Sequence, residues 1–431
     1  MSARKRKGIS LGSKIMLIIT AASLCGFAFV FLKLSSGHSA DLSRLHQQVI
    51  NLQQTEKAPQ PAAESEEKEN TNASAVLPST AGHNEKTESA ENGEKRATLV
   101  FGGVTAIEEN VRKSGYSTDS KKYDFSDLLT LLVPDLKSDL TGLFLENLLI
   151  DDTKVSSTVL PSAGADLLKA AGVQTAFIGF SGAWNKGESG IRSTMENLKN
   201  RGILPLGLLE TEGEHRYLIR DIHGIRISLM QYTENLTSRD RKNMEKAGVP
   251  WMIPDADAEQ IGRDISAARN EGAQIVIVMI NWGKTGARNP DKKQMALAQQ
   301  IADLGADVLI GAGSRTPQRT EYLASSNGRK MLCVYSLGTV ISDNRSAPNR
   351  LGGYLIKLDF FGQEDGTVTL DKAGYVPTYV WRYRQDGKYE YRVLPADRPA
   401  PDGMDSEQAR QMQKTMNAVQ EVLEGGPLIM R

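Results

Sequence analysis

From residue 97 onward, short apolar runs alternate with stretches whose apolar residues recur every three to four positions. The apolar runs predict buried strands and the stretches between them predict amphipathic helices. The strands are predicted at residues 98–101, 140–145, 175–178, 203–206, 225–231, 275–280, 308–310 and 331–335. The helices are predicted at residues 124–136, 163–171, 190–200, 257–271 and 292–304. This alternation of strands and helices predicts a layered α/β domain.

Two further patterns indicate that the sheet is mixed and not purely parallel. Residues 216–221 and 225–231 predict a β-hairpin that turns at His223 and Gly224. After Gly352 the pattern changes to strands alone, and these strands are predicted at residues 354–360, 367–373, 378–383 and 389–394. Asp-Gly pairs separate some of them, as expected for tight turns. We therefore expect antiparallel closure of one α/β domain over residues 97–395.

The N-terminal region predicts a membrane anchor. Residues 15–32 form an uncharged, mostly apolar run of 18 residues, which is just long enough to cross a bilayer as a helix. Residues 1–14 are basic, so this segment should stay cytoplasmic and the rest of the chain should lie outside the cell membrane, as a single-pass protein. A cleaved signal peptide is the alternative. The apolar run is longer than a usual signal core, and residues 38–40 make a poor cleavage site.

Residues 33–96 predict an extracytoplasmic spacer. Apolar residues within 42–52 have coiled-coil spacing, although a short solvated helix is the alternative for so few heptads. Residues 55–96 have almost no large apolar side chains, so they cannot bury enough surface to fold and predict a disordered tether. In the tail at 396–431, residues 405–424 predict an amphipathic helix that docks on its own domain or recruits a partner.

Composition excludes several classes of function. The chain has 52 basic and 52 acidic residues, and together with an extracytoplasmic location this neutrality argues against nucleic-acid binding. Only two cysteines occur, Cys25 and Cys333, so neither a disulfide framework nor a cysteine zinc site is plausible.

The turns that follow the predicted strands carry the candidate chemistry, because loops after such strands are where open α/β sheets bind ligands. These turns are Phe101-Gly102-Gly103, Leu145-Glu146-Asn147, Gly179 through Gly187, Asn281-Trp282-Gly283, Gly311 through Gln318, and Tyr335-Ser336-Leu337-Gly338-Thr339. In this order they resemble the CapA family of capsule and poly-γ-glutamate synthesis proteins. The family pattern runs Gly-Asp, Asn-Leu-Glu, Asn-Asn-His-x-x-Asp-x-Gly, His-Trp-Gly, Gly-x-His-Pro-His and Tyr-Ser-Leu-Gly-Asn-Phe. The resemblance implies a fold similar to that of calcineurin-like metallophosphoesterases.

The residue types that would bind metal in that pattern are replaced in this chain. The replacements are Gly103, Phe144, Phe180-Ser181-Gly182, Asn185, Asn281, Gly313-Ser314-Arg315 and Thr339-Val340. All five histidines of the chain lie outside the pattern. A two-metal phosphoesterase site needs carboxylates and imidazoles aimed from several strand ends. We therefore expect no catalytic residues, no metal and no cofactor in this domain.

The polar residues left at these turns define a candidate anion-binding pocket, namely Glu146, Asn147, Asn185, Asn281, Trp282 and Arg315. By the resemblance, Arg315 would place a fixed positive charge where the family places a cation, and Asn281 would donate a hydrogen bond to a carboxylate. The alternative is an abandoned site filled with solvated polar residues.

The predicted anchor at 15–32 implies a membrane-anchored, extracytoplasmic protein, and the resemblance implies a role in polymer synthesis. Because the metal-ligand positions are replaced, we expect that role to be binding or scaffolding without catalysis. Its expected partners are the membrane subunits of a capsule or poly-γ-glutamate synthase, and an anionic polymer. The alternative function is a metal-dependent hydrolase or phosphoesterase that acts on a cell-envelope polymer.

Overall fold

The computed structural model describes residues 95–151, 155–156 and 158–431. The predicted anchor at 15–32 and the spacer at 33–96 lie outside these residues, apart from the last two of the spacer. Within the described residues, every helix is too short or too polar to cross a membrane.

The strands follow the apolar runs closely. Those in the first half of the domain are β1 Lys95–Thr105, β2 Tyr116–Ser117, β3 Lys122–Tyr123, β4 Leu140–Leu145, β5 Leu148–Leu149, β6 Val159–Leu160, β7 Thr175–Phe177, β8 Leu204–Leu206, β9 Tyr217–Ile222 and β10 Ile225–Thr233. Those in the second half are β11 Ile275–Asn281, β12 Val308–Ala312, β13 Pro317–Ala324, β14 Lys330–Leu337, β15 Thr339–Ile341, β16 Tyr354–Gly362, β17 Val368–Gln385, β18 Lys388–Pro395 and β19 Ile429–Met430.

The helices lie mostly between strands. They are α1 Glu109–Ser114, α2 Val133–Leu136, α3 Ala163–Ala170, α4 Gly187–Lys199, α5 Ser238–Lys246, α6 Ala258–Asn270, α7 Lys292–Asp303 and α8 Ser406–Leu423. Short 3-10 helices occupy Ser126–Leu129 and Pro348–Arg350.

Two mixed sheets form the centre of the domain. The first has the strand order β18-β17-β16-β1-β4-β7-β8, with β15 beside β1 and β19 beside β17, and the second has the order β13-β14-β12-β11-β10-β9. Strands β1, β4, β7 and β8 are parallel in the first sheet, and β10, β11, β12 and β14 are parallel in the second. Antiparallel strands flank both parallel sets, so the predicted mixed-sheet, layered α/β fold is confirmed.

Successive side chains of a strand point to opposite faces of its sheet, and the buried clusters on these faces define four layers. Leu99 and Phe101 of β1 share a buried cluster with Ile227 of β10, so this cluster lies between the two sheets. Val100, which points to the opposite face of β1, belongs to a second cluster with side chains of α3 and α4. A third cluster joins Val276 of β11 to α6 and α7. The order is therefore helices, sheet, sheet, helices.

Three predicted elements differ from the structure, one helix and two strands. The helix predicted at 124–136 is broken into the 3-10 helix Ser126–Leu129 and α2, because Pro134 has no N–H to continue a helix and instead lies in the first turn of a new one. The strands predicted at 367–373 and 378–383 are one continuous strand, β17, which passes through Pro377. This strand pairs with β16 up to Pro377 and with β18 from Thr378 onward, so a single strand serves two hairpins.

The C-terminal amphipathic helix, α8, packs on its own domain. Its buried residues include Met412, Val419 and Leu423, and it lies against β17 and β13. Asp405 begins the helix with a capping box: its carboxylate accepts from the backbone N–H of Gln408, and the Gln408 side chain accepts in return from Asp405. The apolar face of α8 is therefore used within the chain.

Candidate functional site

The parallel strands bring four polar side chains to one edge of the two sheets. Glu146 follows β4, Asn281 ends β11 and Arg315 follows β12, and Glu108 comes three residues after β1. Parallel strands end at the same edge, which explains why residues so distant in sequence meet there.

Hydrogen bonds connect these four side chains in one chain, in the order Asn281, Glu146, Arg315 and Glu108. Asn281 Nδ2 donates to Glu146 Oε1 at 2.9 Å, and Arg315 Nε donates to Glu146 Oε2 at 2.7 Å. Arg315 Nη1 donates to Glu108 Oε1 at 2.8 Å. Glu108 Oε2 accepts from the Ser342 hydroxyl at 2.9 Å, so all four carboxylate oxygens already accept a hydrogen bond. We call Glu108, Glu146, Asn281 and Arg315 the strand-end network.

The network is largely withdrawn from water. The Glu146 side chain is 8% exposed and that of Arg315 is 28% exposed. Burial alone would lower the pKa of Arg315, but the charges of Glu146 and Glu108 outweigh burial and hold the pKa of Arg315 above its usual value. Arg315 therefore stays charged and acts as the counter-ion of two carboxylates.

The backbone around Arg315 is held in an unusual conformation. Arg315 has a φ of 53°, in the left-handed region that few residues with side chains adopt. Its carbonyl accepts from the Thr339 hydroxyl at 3.4 Å, and Ser314 Oγ lies 2.8 Å from Ser336 Oγ in the neighbouring turn. This turn directs the guanidinium at the two carboxylates.

The six residues predicted as one pocket occupy different environments. Glu146, Asn185 and Arg315 line a common cleft, whereas Asn281 is 2% exposed and donates a hydrogen bond to Glu146. Asn147 is fully buried, and its Oδ1 accepts from the backbone N–H of Ile107 at 2.9 Å. Trp282 is fully buried as well, and its Nε1 donates to the Tyr335 carbonyl at 2.9 Å. Asn147 and Trp282 therefore support the strand ends from inside the domain.

The cleft beside the network has a volume of about 590 Å³. It is lined by Glu146, Thr158, Phe180, Ser181, Gly182, Trp184, Asn185, Thr237, Arg239, Asp240, Asn243 and Arg315. We call it the strand-end cleft.

Three charged residues at this edge were not predicted from the sequence, namely Glu108, Arg239 and Asp240. Glu108 lies just after the first strand, which is the signal that could have identified it. Arg239 is on α5, a short helix that the sequence analysis did not predict.

The residues at this edge do not fit a two-metal centre of the kind that the metallophosphoesterase resemblance implies. In the described part of the chain, no three side chains of His, Cys, Asp or Glu come together as a metal would require. A side chain at Gly103 would collide with the backbone of Gly338, and one at Gly313 would lie 2.7 Å from the Trp282 carbonyl oxygen. The carboxylates that remain, Glu108 and Glu146, bind Arg315 instead. Arg315, which follows β12, thus forms ion pairs with Glu146 after β4 and Glu108 after β1.

Comparison with known proteins supports the resemblance seen in the motifs. Residues 98–344 match the family model described as bacterial capsule synthesis protein PGA_cap. The chain is similar to the capsule biosynthesis protein CapA of Bacillus anthracis, with 23% identity over 189 residues that cover 43% of each protein. It is also similar to the PGA biosynthesis protein CapA of Bacillus subtilis (strain 168), with 26% identity over 201 residues, which cover 45% of this chain and 50% of the relative. The matched segments thus span half or less of these relatives.

Among solved structures, the chain is similar to the NAD nucleotidase NadN of Haemophilus influenzae, with a TM-score of 0.42 and 11% identity over 78% of this chain and 57% of the other. It is also similar to the calcineurin-like phosphoesterase YfkN of Bacillus subtilis, with a TM-score of 0.40 and 13% identity over 76% of this chain and 99% of the other. The family assignment rests on the sequence match, which covers more than half of the chain. The protein therefore belongs to the bacterial capsule synthesis family PGA_cap, as the CapA-like motifs of its strand-end turns indicate.

Proposed function

We propose that this protein is a membrane-anchored, extracytoplasmic component of capsule or poly-γ-glutamate biosynthesis that binds or scaffolds an anionic polymer without cleaving it. Family membership supports the biosynthetic context. The names of the two relatives, a capsule biosynthesis protein and a PGA biosynthesis protein, point to the same context.

The observation that carries the non-catalytic role is the strand-end network. Glu146 keeps its place after β4, yet its two oxygens bind Asn281 and Arg315. The Arg315 guanidinium thus supplies the positive charge that a metal ion would otherwise supply. A guanidinium does not lower the pKa of a bound water in the way that a metal ion does, so it cannot replace the metal in generating a nucleophile.

The membrane anchor is supported by the sequence alone. The apolar run at 15–32 follows a basic segment at 1–14, which favours a cytoplasmic N-terminus. A protein tethered in this way would work beside membrane subunits of a polymer synthase, which are the partners that we propose.

The test is complementation of a deletion strain, with capsule or poly-γ-glutamate polymer measured at the cell surface. The central variant is the double change Glu146→Gln and Arg315→Met, which removes both charges and keeps the side-chain sizes similar. A binding or scaffold role predicts that this variant restores polymer, because neither residue performs chemistry. A matched variant that lacks residues 1–33 should fail to restore it, because it has lost the anchor.

A biochemical arm tests the alternative function, a metal-dependent hydrolase. The full-length chain is incubated with manganese, its bound metal is measured, and its turnover of a generic phosphodiester is assayed. Tightly bound metal together with turnover that is lost in Glu146→Gln would overturn the proposal, as would failure of the double variant to restore polymer despite normal protein levels.

A further inference from the structure

A second cleft, of about 830 Å³, lies between the β17–β18 hairpin, the loop that precedes the 3-10 helix Pro348–Arg350, and the first turns of α8. Strand β16 pairs with β17 only up to Pro377, so loop and helix residues cover the edge of β17 beyond it. Arg345 Nη1 donates to the Val380 carbonyl at 3.0 Å, and Gln408 Nε2 donates to the Arg382 carbonyl at 3.1 Å. We call this concave surface the hairpin–helix cleft.

Four cationic side chains line the hairpin–helix cleft, namely Arg345, Arg382, Arg384 and Lys414. Within the described ranges, none of the four has a carboxylate oxygen within 4.0 Å. This sets them apart from Arg315, which contacts two carboxylates.

The two acidic residues of the hairpin–helix cleft are engaged by other groups. Asp405 accepts from the backbone N–H of Gln408 at 2.8 Å, where it caps α8. Glu407 lies 2.8 Å from Arg410, one turn along the helix. The cations therefore dominate the charge that a ligand would meet in this cleft.

The cations are also held in place. The guanidinium carbons of Arg382 and Arg384 lie 4.4 and 4.9 Å from the centre of the Tyr389 ring, which orients both groups around one aromatic side chain. Arg345 Nη2 donates to Tyr379 Oη at 3.3 Å. Burial lowers the pKa of Arg345, and the neighbouring charge of Arg382 adds to that effect. Like charges held close together are unfavourable unless an anion joins them.

We propose that the hairpin–helix cleft binds a polymer of carboxylates, with Arg345, Arg382, Arg384 and Lys414 contacting successive acidic groups. This inference rests on the proposed function, which supplies an anionic polymer. Guanidinium groups suit carboxylates because the planar fork donates two parallel hydrogen bonds. The exposed ring of Tyr389 offers an apolar surface to the aliphatic part of such a chain. Several cations along one cleft fit a chain with repeated charges better than a single small anion.

The test measures binding of poly-γ-glutamate to the full-length chain. Arg384 and Lys414 are exposed, so the double variant Arg384→Gln/Lys414→Gln should fold normally. We expect its affinity to fall about tenfold, because two exposed contacts are lost and each is worth about a factor of three. The dependence of affinity on sodium chloride should also weaken. Arg345→Gln should lower affinity as well.

The matched control is Lys186→Gln/Arg239→Gln, which removes two exposed cations: Arg239 lines the strand-end cleft, and Lys186 directly follows the lining residue Asn185. This control should bind like the wild type. The inference is overturned if Arg384→Gln/Lys414→Gln leaves affinity unchanged, or if the loss appears in the control instead. Binding to inorganic polyphosphate without binding to poly-γ-glutamate would overturn the carboxylate assignment. Absence of binding in a protein that still restores polymer in the deletion strain would overturn the cleft inference and leave the proposed function standing.

Discussion

Replacing Arg315 with methionine should destabilise the domain far more than the loss of an ordinary surface arginine. The substitution keeps much of the side-chain length but removes the charge and the three hydrogen bonds to Glu146 and Glu108. Glu146, 8% exposed on its side chain, would then keep Asn281 as its described side-chain donor. A nearly buried carboxylate would be left without its counter-ion.

The magnitude follows from two opposing effects. Opposite charges about 4 Å apart attract by about 4 kcal/mol at an effective dielectric constant of about 20. Removing each ion from water costs several kcal/mol, so the intact network contributes little net stability. Breaking it is different, because the desolvation cost of Glu146 remains while the attraction is lost. Single-partner removal of this kind costs about 3–5 kcal/mol, and the 28% exposure of Arg315 places our expectation near the lower end.

Glu146→Gln should cost less, about 1.5–3 kcal/mol, because Arg315 keeps its pair with Glu108. The double variant Glu146→Gln/Arg315→Met leaves no charge at position 146, while Glu108, 23% exposed, loses Arg315 and keeps the Ser342 hydroxyl as a donor. Its loss should therefore be smaller than the sum of the single losses, with a coupling energy of about 1–3 kcal/mol.

The assay is urea unfolding of the full-length chain, followed by tryptophan fluorescence. Trp282 is fully buried and directly follows Asn281, so it reports on this part of the domain. The control is Arg263→Met, which removes an exposed helical pair with Glu259 and should cost below about 1 kcal/mol. If Arg315→Met and Arg263→Met lowered the free energy of unfolding equally, Arg315 would not be the counter-ion of a buried carboxylate. The same would follow if the losses caused by Glu146→Gln and Arg315→Met simply added in the double variant.

Three further changes test other parts of the structure. Gly311→Ala should destabilise the domain by about 1–3 kcal/mol, because its new methyl group would collide with the Tyr335 carbonyl and the Trp282 indole nitrogen. The control is Gly172→Ala, where a methyl group has open space and the only cost is the positive φ. A fall in melting temperature no larger than that of the control would contradict this prediction. Asp405→Ala should cost about 1 kcal/mol in thermal unfolding through loss of the α8 cap, whereas removal of the exposed Asp402 should have almost no effect. Burial raises the pKa of Asp397, so its charged form opposes folding at neutral pH. Asp397→Asn should thus stabilise the domain at pH 7, and this gain should disappear as the pH falls to the ordinary pKa of an aspartate, 3.8. A gain that did not depend on pH would contradict the raised pKa of Asp397.

The sequence is informative where burial controls the pattern. Strands β4 and β11 are fully buried, so their continuous apolar runs marked their positions closely. Strand β13 was not predicted, because its polar and charged residues reflect a place at the edge of the second sheet. The break at Pro134 was missed because the apolar spacing continues across it.

The charge pairing could not be predicted for a different reason. The strand-end position of Arg315 follows from the pattern, but its contacts with Glu146 and Glu108 span 169 and 207 residues and depend on the sheet order. The hairpin–helix cleft is similar, since Arg345, Arg384 and Lys414 come from three separate segments. Sequence reasoning therefore located the edge of the site and assigned Arg315 a free charge that the structure shows to be paired.

The cations of the two clefts differ in whether carboxylates of the same chain pair with them. At the strand-end network, a cation is bound by two carboxylates of the same chain, so its charge serves the fold. The hairpin–helix cleft is lined by four cations, of which Arg384 and Lys414 are exposed and Arg345 and Arg382 are half-buried. None of the four has a carboxylate partner in the described residues, so their charge is available to a ligand. This separation makes opposite outcomes measurable: Arg315→Met should lower stability while the folded protein keeps its polymer affinity, and Arg384→Gln/Lys414→Gln should lower affinity at unchanged stability. If both variants changed the same property, the charges of the two clefts would not be independent, and the assignment of binding to the hairpin–helix cleft would fail.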